Sequence, residues 1–393
     1  MKTIKTAERP PRLQDGSKGG AMRIAIKNVL VHQPQGSFKK DTLYIAGGVI
    51  CAPCEVEAEL DGDGALACPG MLDTHTHGRI GADFCSATEA QLVDMARDYA
   101  RHGVTTVLPT LASDTQEGWR AALARFAACG SPSYIGVHLE GCWLSQSKRG
   151  AHAPALLRTP AVSDLEDLIA SSPLPIMKVS AAPELDGDGA FLAACRARGI
   201  HYSIAHTDAD YDGAMLALCQ GADCFTHLYN TMQPLHHRAG GPVAAALTED
   251  SAYVELIADG VHVSPEMVRL AYRCKGADKF ILITDSMSGT ACPDGMYEIA
   301  GQPTVVKGGK ALTLDGHLAG STLELLRGVQ NLATFCKIPF GQALLSATRT
   351  PAAYHGVLGE YGTLSVGARA NLFLLETEHA PLPSRVMQNG EWL

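Results

Sequence analysis

Residues 69–78 read Pro69-Gly70-Met71-Leu72-Asp73-Thr74-His75-Thr76-His77-Gly78, a short apolar run that ends in two histidines one residue apart. Alternate side chains of a strand share a face, so this pair turns both imidazoles the same way. The run decides the fold because its kind recurs. Strand-like apolar stretches follow at residues 103–109, 134–139, 175–180, 201–205, 222–226, 253–257 and 280–284, which with 71–74 makes eight. Helical patterns fill the intervals, among them 89–101 with Leu92, Met95 and Tyr99 on one face, and 212–220. That alternation, at that spacing, predicts a (β/α)8 barrel in the α/β class.

The flanks have a different texture. Residues 22–67 form short strand-like runs broken by turn residues such as Asp61-Gly62-Asp63-Gly64. The far end repeats this character: residues 302–314 alternate, and Ala370-Asn371-Leu372-Phe373-Leu374-Leu375 is a compact apolar run. The expectation is a small β-sandwich domain built from both chain ends, 22–69 and 297–393, with a barrel spanning 70–296. The second segment would also carry helices packed on the barrel and a loop near 318–321. Residues 1–21 hold basic residues but no apolar segment, which reads as a disordered leader rather than a signal peptide.

Composition removes whole classes of function. Among 393 residues, Lys+Arg number 32 against Asp+Glu 41, a formal charge of −9. A nucleic-acid binder needs the opposite balance. A hydrophobic content of 46% with 19% charged residues is globular, not disordered. No apolar run is long enough for a transmembrane helix. Twelve cysteines are too few and too scattered for a disulfide scaffold, and Cys51-Ala-Pro-Cys54, the sole C-x-x-C, has no second pair to close a zinc site. A reduced, cytoplasmic protein is expected.

The chemistry sits at the strand ends. His75 and His77 close the first strand, Glu140 follows the third, His206 the fifth, His227 the sixth and Asp285 the eighth. A lone histidine at a strand end is more often a hydrogen-bonded scaffold residue than a ligand. Six such groups at the same end of separate strands are another matter, because a closed barrel gathers those ends at one mouth. Histidines with carboxylates are the inventory for zinc or another borderline divalent metal.

The stretch from Pro69 to Gly78, with His138-Leu139-Glu140-Gly141 and Ala205-His206-Thr207, resembles the amidohydrolase superfamily. Thr226-His227-Leu228-Tyr229-Asn230-Thr231-Met232, Ala258-Asp259-Gly260-Val261-His262, Thr284-Asp285 and Leu318-Ala319-Gly320-Ser321 resemble its N-acetylglucosamine-6-phosphate deacetylase family. The resemblance implies that Glu140, His206 and His227 hold a main metal, that His75 and His77 help hold a second, and that Glu140 bridges them. It implies zinc, or iron, manganese or cobalt, as one or two ions per subunit. Asp285 matches the catalytic aspartate. Lys178 lies near the place where other amidohydrolases carry a carbamylated lysine, but with Glu140 in the bridging role it reads as structural.

Phosphate contacts are implied for Arg238 and the backbone N–H groups of Asn230 and Thr231. Sugar contacts are implied for Ala151, His152, His262, Leu318, Ala319, Gly320 and Ser321. The arginine can come from a neighbouring subunit in relatives, which implies a homodimer. Three departures border the sugar pocket: Cys142 in place of a proline, Ala239-Gly240-Gly241 in place of Glu-Pro-Gly, and a loose strand-four block from Lys178 to Glu184. The implied reaction is deacetylation of N-acetylglucosamine 6-phosphate in amino-sugar catabolism or cell-wall sugar recycling. The galacto epimer, a cyclic-amide hydrolase or deaminase on the same barrel, and a non-catalytic barrel remain as alternatives.

Overall fold

The computed structural model describes residues 22–393; the expected leader, 1–21, lies outside them. Eight parallel strands run in sequence order around a ring: β1 (Met71–Thr76), β2 (Val104–Leu111), β3 (Val137–Glu140), β4 (Ile176–Ala181), β5 (His201–Ile204), β6 (Cys224–Phe225), β7 (Tyr253–Ile257) and β8 (Phe280–Ile283). All eight expected strands are present. The ring closes near the carboxyl ends, where the Asp285 N–H donates to the His75 carbonyl at 2.9 Å and Thr76 bridges Ser286. At the other end the gap between β1 and β8 is filled by a later segment. Leu72 donates to the Ala347 carbonyl at 2.8 Å and Leu282 to that of Ser346 at 2.9 Å.

Helices cover the outside as their apolar spacing requires. Glu89–Arg101 starts on a Thr88–Gln91 capping box and buries Leu92, Met95, Ala96 and Tyr99 on one face. Tyr211–Gln220 starts on an Asp210 cap. Among the described residues no helix is long and apolar enough to cross a membrane.

The two chain ends meet in one eight-stranded sheet. Its centre is Leu66–Pro69 paired antiparallel with Leu372–Leu375. These strands are buried on both faces, which is why they read as unbroken apolar runs. Leu372 and Leu374 enter the core of the sheet with Ile26, Val29 and Ile45, while Phe373 and Leu375 enter the barrel core. The 302–314 alternation is placed differently from the expectation. Gly295–Ile299, Gln302–Lys307 and Lys310–Thr313 form a separate three-stranded sheet. They bury Ile299, Val306 and Ala311 against Ala112, Met287 and Ala319. Alternation fixes which face is apolar but not which surface will cover it. The cysteines, Cys51 and Cys54 included, are free thiols.

Phe373→Ala removes a ring that joins the chain-end sheet to the barrel. Denaturant unfolding should show a loss of about 3–5 kcal/mol, whereas a loss under about 1 kcal/mol would show that the junction does not depend on this side chain.

Candidate metal centre

One carboxylate organises the mouth of the barrel. Glu140 Oε2 lies 2.9 Å from His75 Nε2 and 3.0 Å from His77 Nε2. Its other oxygen, Oε1, lies 3.1 Å from His227 Nε2 and 3.6 Å from His206 Nε2. Asp285 Oδ1 completes the first group, 3.2 Å from His77 Nε2 and 3.5 Å from His75 Nε2. The structure thus brings together the six residues singled out at the strand ends. All are buried, Asp285 least so, with 12% of its side chain exposed. His152 also approaches: ligand atoms of Glu140, His152 and His206 lie within 4.8 Å of one another.

The local backbone explains the aim of these side chains. His206, His227 and Asp285 each follow a barrel strand and have left-handed φ values of 44°, 30° and 51°. Non-glycine residues take that conformation at a cost and concentrate at functional sites. The His206 Nδ1–H donates to the Lys148 carbonyl at 2.7 Å, which leaves Nε2 as a lone pair facing His227 and Glu140. Asp73 braces the β1–β8 seam, accepting from Thr284 Oγ1 at 2.5 Å.

Charge accounting tests the fit to a cation. Glu140 and Asp285 bring two buried negative charges. The nearest buried cation, Lys178, is already paired with Glu255. Burial opposes a charged ring at His75, yet the Glu140 and Asp285 carboxylates outweigh it and raise its pKa to about 9. His77 is raised to about 10 against the same burial, through its bonds to Asp285 and Glu140. Burial would lift Asp285, but His75 and His77 bring it down to about 2; Glu140 is likewise held well below the usual carboxylate range. The cluster therefore demands positive charge, as protons on the rings or as metal. Converging Nε2 lone pairs and carboxylates fit divalent cations at two places that share Glu140.

A cavity of about 120 Å³ opens onto this cluster. His77, Glu140, His206, His227 and Asp285 line it, with Ala151, His152, Asn230, Thr231, His262, Leu318, Ala319 and Gly320 of the expected substrate contacts. Ser321 is turned away from it: its N–H donates to the Asp285 carbonyl at 2.7 Å and its hydroxyl to that of Thr284 at 2.5 Å. Arg238 is exposed and outside the cavity lining of its own chain. The Asn230 N–H already donates to the His227 carbonyl at 3.0 Å. Sequence reasoning missed Glu255, which reaches His75, and Ser113, whose hydroxyl holds His152 Nδ1 at 2.8 Å. A glutamate in the middle of the apolar run 253–257 was the available signal for the first; Ser113 offered none.

A closed parallel barrel with this His, Glu and Asp set at its carboxyl rim defines a metal-dependent hydrolase of the amidohydrolase type. The amidohydrolase family model matches residues 66–393. An N-acetylglucosamine-6-phosphate deacetylase from Vibrio furnissii is 39% identical over 315 residues, 79% of each chain. An N-acetylgalactosamine-6-phosphate deacetylase from Escherichia coli O157:H7 is 35% identical, covering 87% of this chain and 92% of that protein. A solved mutant N-acetyl-D-glucosamine-6-phosphate deacetylase from Mycobacterium smegmatis, in complex with N-acetyl-D-glucosamine-6-phosphate, superposes with a TM-score of 0.86 at 31% identity. It covers 95% of this chain and 99% of its own. The chain belongs to the amidohydrolase family and, within it, to the N-acetylglucosamine-6-phosphate deacetylases.

Cations must displace protons from His75 and His77. Zinc added at pH 7 to chelator-stripped protein in weak buffer should release protons, and its apparent affinity should rise with pH until about 9 to 10. A pH-independent affinity across that window would separate these rings from the cation.

Proposed function

We propose that this chain hydrolyses the N-acetyl group of N-acetylglucosamine 6-phosphate, releasing acetate and glucosamine 6-phosphate. The observation that carries the reading is Glu140 shared between two histidine pairs on the floor of one cavity, with Asp285 beside them. Relatives named for this activity support the substrate; one relative named for the galacto epimer keeps that epimer as the second reading. When bound, a divalent ion supplies Lewis acidity at the acetyl carbonyl and lowers the pKa of water from 15.7 towards about 7. Zinc is the proposed occupant, with iron, manganese and cobalt chemically suited to the same donors.

This chain's own residues do the rest. Beside the shared Glu140, Asp285 is the second carboxylate that touches the cluster and faces the cavity, and His75 and His77 keep it ionised. It takes a proton from the attacking water and hands it to the amine nitrogen as the C–N bond breaks. His262, fixed by Asp259 at 2.6 Å through Nδ1, and His152, fixed by Ser113, keep their other ring nitrogens for the sugar hydroxyls. Ala151 and the Leu318–Ala319–Gly320 loop form the walls of the sugar site. Ser321 supports Asp285 rather than the sugar.

The phosphate is assigned to the Thr231 backbone and to Arg238, whose planar fork suits a dianion. Since Arg238 lies outside its own cavity, the proposal gives it to the cavity of a second subunit, in a homodimer located in the cytoplasm.

Asp285→Asn should lower kcat by about 10²–10⁴-fold with metal content unchanged; normal turnover would remove Asp285 from the mechanism. Arg238→Ala should raise KM strongly for the phosphorylated sugar and barely change hydrolysis of the unphosphorylated one. Acetate release from both hexosamine epimers, with metal analysis of the same sample, tests the substrate. Ammonia release from cyclic amides or nucleobases, without acetate from either sugar, would reverse the assignment.

A further inference from the structure

Two buried charged residues, Lys178 on β4 and Glu255 on β7, are fully enclosed in the barrel and do not line the cavity. They form an ion pair, and Lys178 Nζ also donates to the Thr74 carbonyl at 3.2 Å. The other oxygen of Glu255 lies 3.3 Å from His75 Nδ1. We propose that Glu255, held by Lys178, is a positioning residue that sets the tautomer of His75 and so makes the His75–His77 half of the cluster a cation site. This rests on the reading above that the cluster takes ions.

A carboxylate accepts and does not donate, so the bond to Glu255 assigns the ring proton to Nδ1. A neutral imidazole has one N–H. Once a cation displaces any proton there, Nε2 offers its lone pair on the side of Glu140 Oε2 and Asp285 Oδ1, 2.9 and 3.5 Å away. Electron pairs then face electron pairs, an arrangement relieved by a proton on the ring or by a cation between them, and only the cation uses Nε2 as a ligand. Lys178 is the second half of the device. Paired with one oxygen of Glu255, it fixes the carboxylate so that the other oxygen stays on His75 Nδ1. No other imidazole of the cluster is fixed this way: His206 leans on a neutral carbonyl, and Nδ1 of His77 and of His227 have no partner. Carboxylate partners of metal-bound histidines generally fix ring orientation and raise ligand basicity.

The test is Lys178→Met combined with Glu255→Leu, which removes both charges at similar volume and strands neither. Zinc per chain is measured after dialysis against graded zinc buffers. Wild-type protein should bind two ions. In the double variant one binding step should weaken by about 10–100-fold and the other stay unchanged. A purely structural pair would move the melting temperature and leave both affinities alone, and that result overturns the proposal. Wild-type protein that binds one ion overturns the reading of His75 and His77 as ligands, and the proposal with it. The ¹⁵N-histidine spectrum of zinc-loaded wild type is independent of variant folding. A His75 proton on Nδ1 supports the assignment; one on Nε2 overturns it.

Discussion

The arrangement depends on the bifurcation of one carboxylate. Each oxygen of Glu140 faces a different pair of imidazoles, those of β1 on one side and those following β5 and β6 on the other. A monodentate donor would serve one pair; a glutamine would bring an amide N–H towards the second. The ring of strands makes the sharing possible, because β3 stands between β1 and β5, two strands from each, and their ends converge on one mouth. Opening the barrel between β1 and β3, or between β3 and β5, would carry one pair away from Glu140. The closure of β8 on β1, through Asp285 to His75 and Thr284 to Asp73, therefore belongs to the site as much as to the fold.

The accessory sheet contributes rigidity at the opposite pole. Leu372–Leu375 divides its side chains between two cores, and the segment at 346–347 occupies the seam between β1 and β8. The chain ends are thus built into the barrel wall, and the strand that begins at Met71 is held at its start by Gly70 donating to the Asn371 carbonyl at 2.8 Å. Residues about 300 positions apart in the chain thus anchor the start of the strand that carries His75 and His77.

Sequence reading recovered what local pattern encodes. Eight apolar runs placed the barrel, and the His, Glu or Asp that end five of them placed its six clustered residues, because strand periodicity and strand ends are local properties. What it missed depends on pairing across the fold. The alternation of 302–314 was visible, but its partners, Ala112 and Met287, come from the barrel mouth. Lys178 was read as structural, yet its acid lies three barrel strands further on, past β5 and β6. Ser321 sits in the same short stretch as three cavity residues, and only the hydrogen bonds to Thr284 and Asp285 show that it faces the other way.

The left-handed residues at the strand ends show what such a site demands of its scaffold. His206, His227 and Asp285 each hold a conformation that costs about 1–3 kcal/mol, and glycine, which would relieve it, has no ligand atom to offer. The strain must be offset by bonds that exist only in the closed fold. The His206 carbonyl accepts from Ser145 at 2.9 Å, that of His227 from Asn230 at 3.0 Å, and that of Asp285 from Ser321 at 2.7 Å. All three donors come from the loops that shape the cavity. Ligand geometry and substrate walls are therefore one mechanical unit: a loop that recognises the sugar also keeps a ligand-bearing residue in its unfavourable backbone state. Loosening such a loop would disturb the metal cluster before any ligand itself is changed.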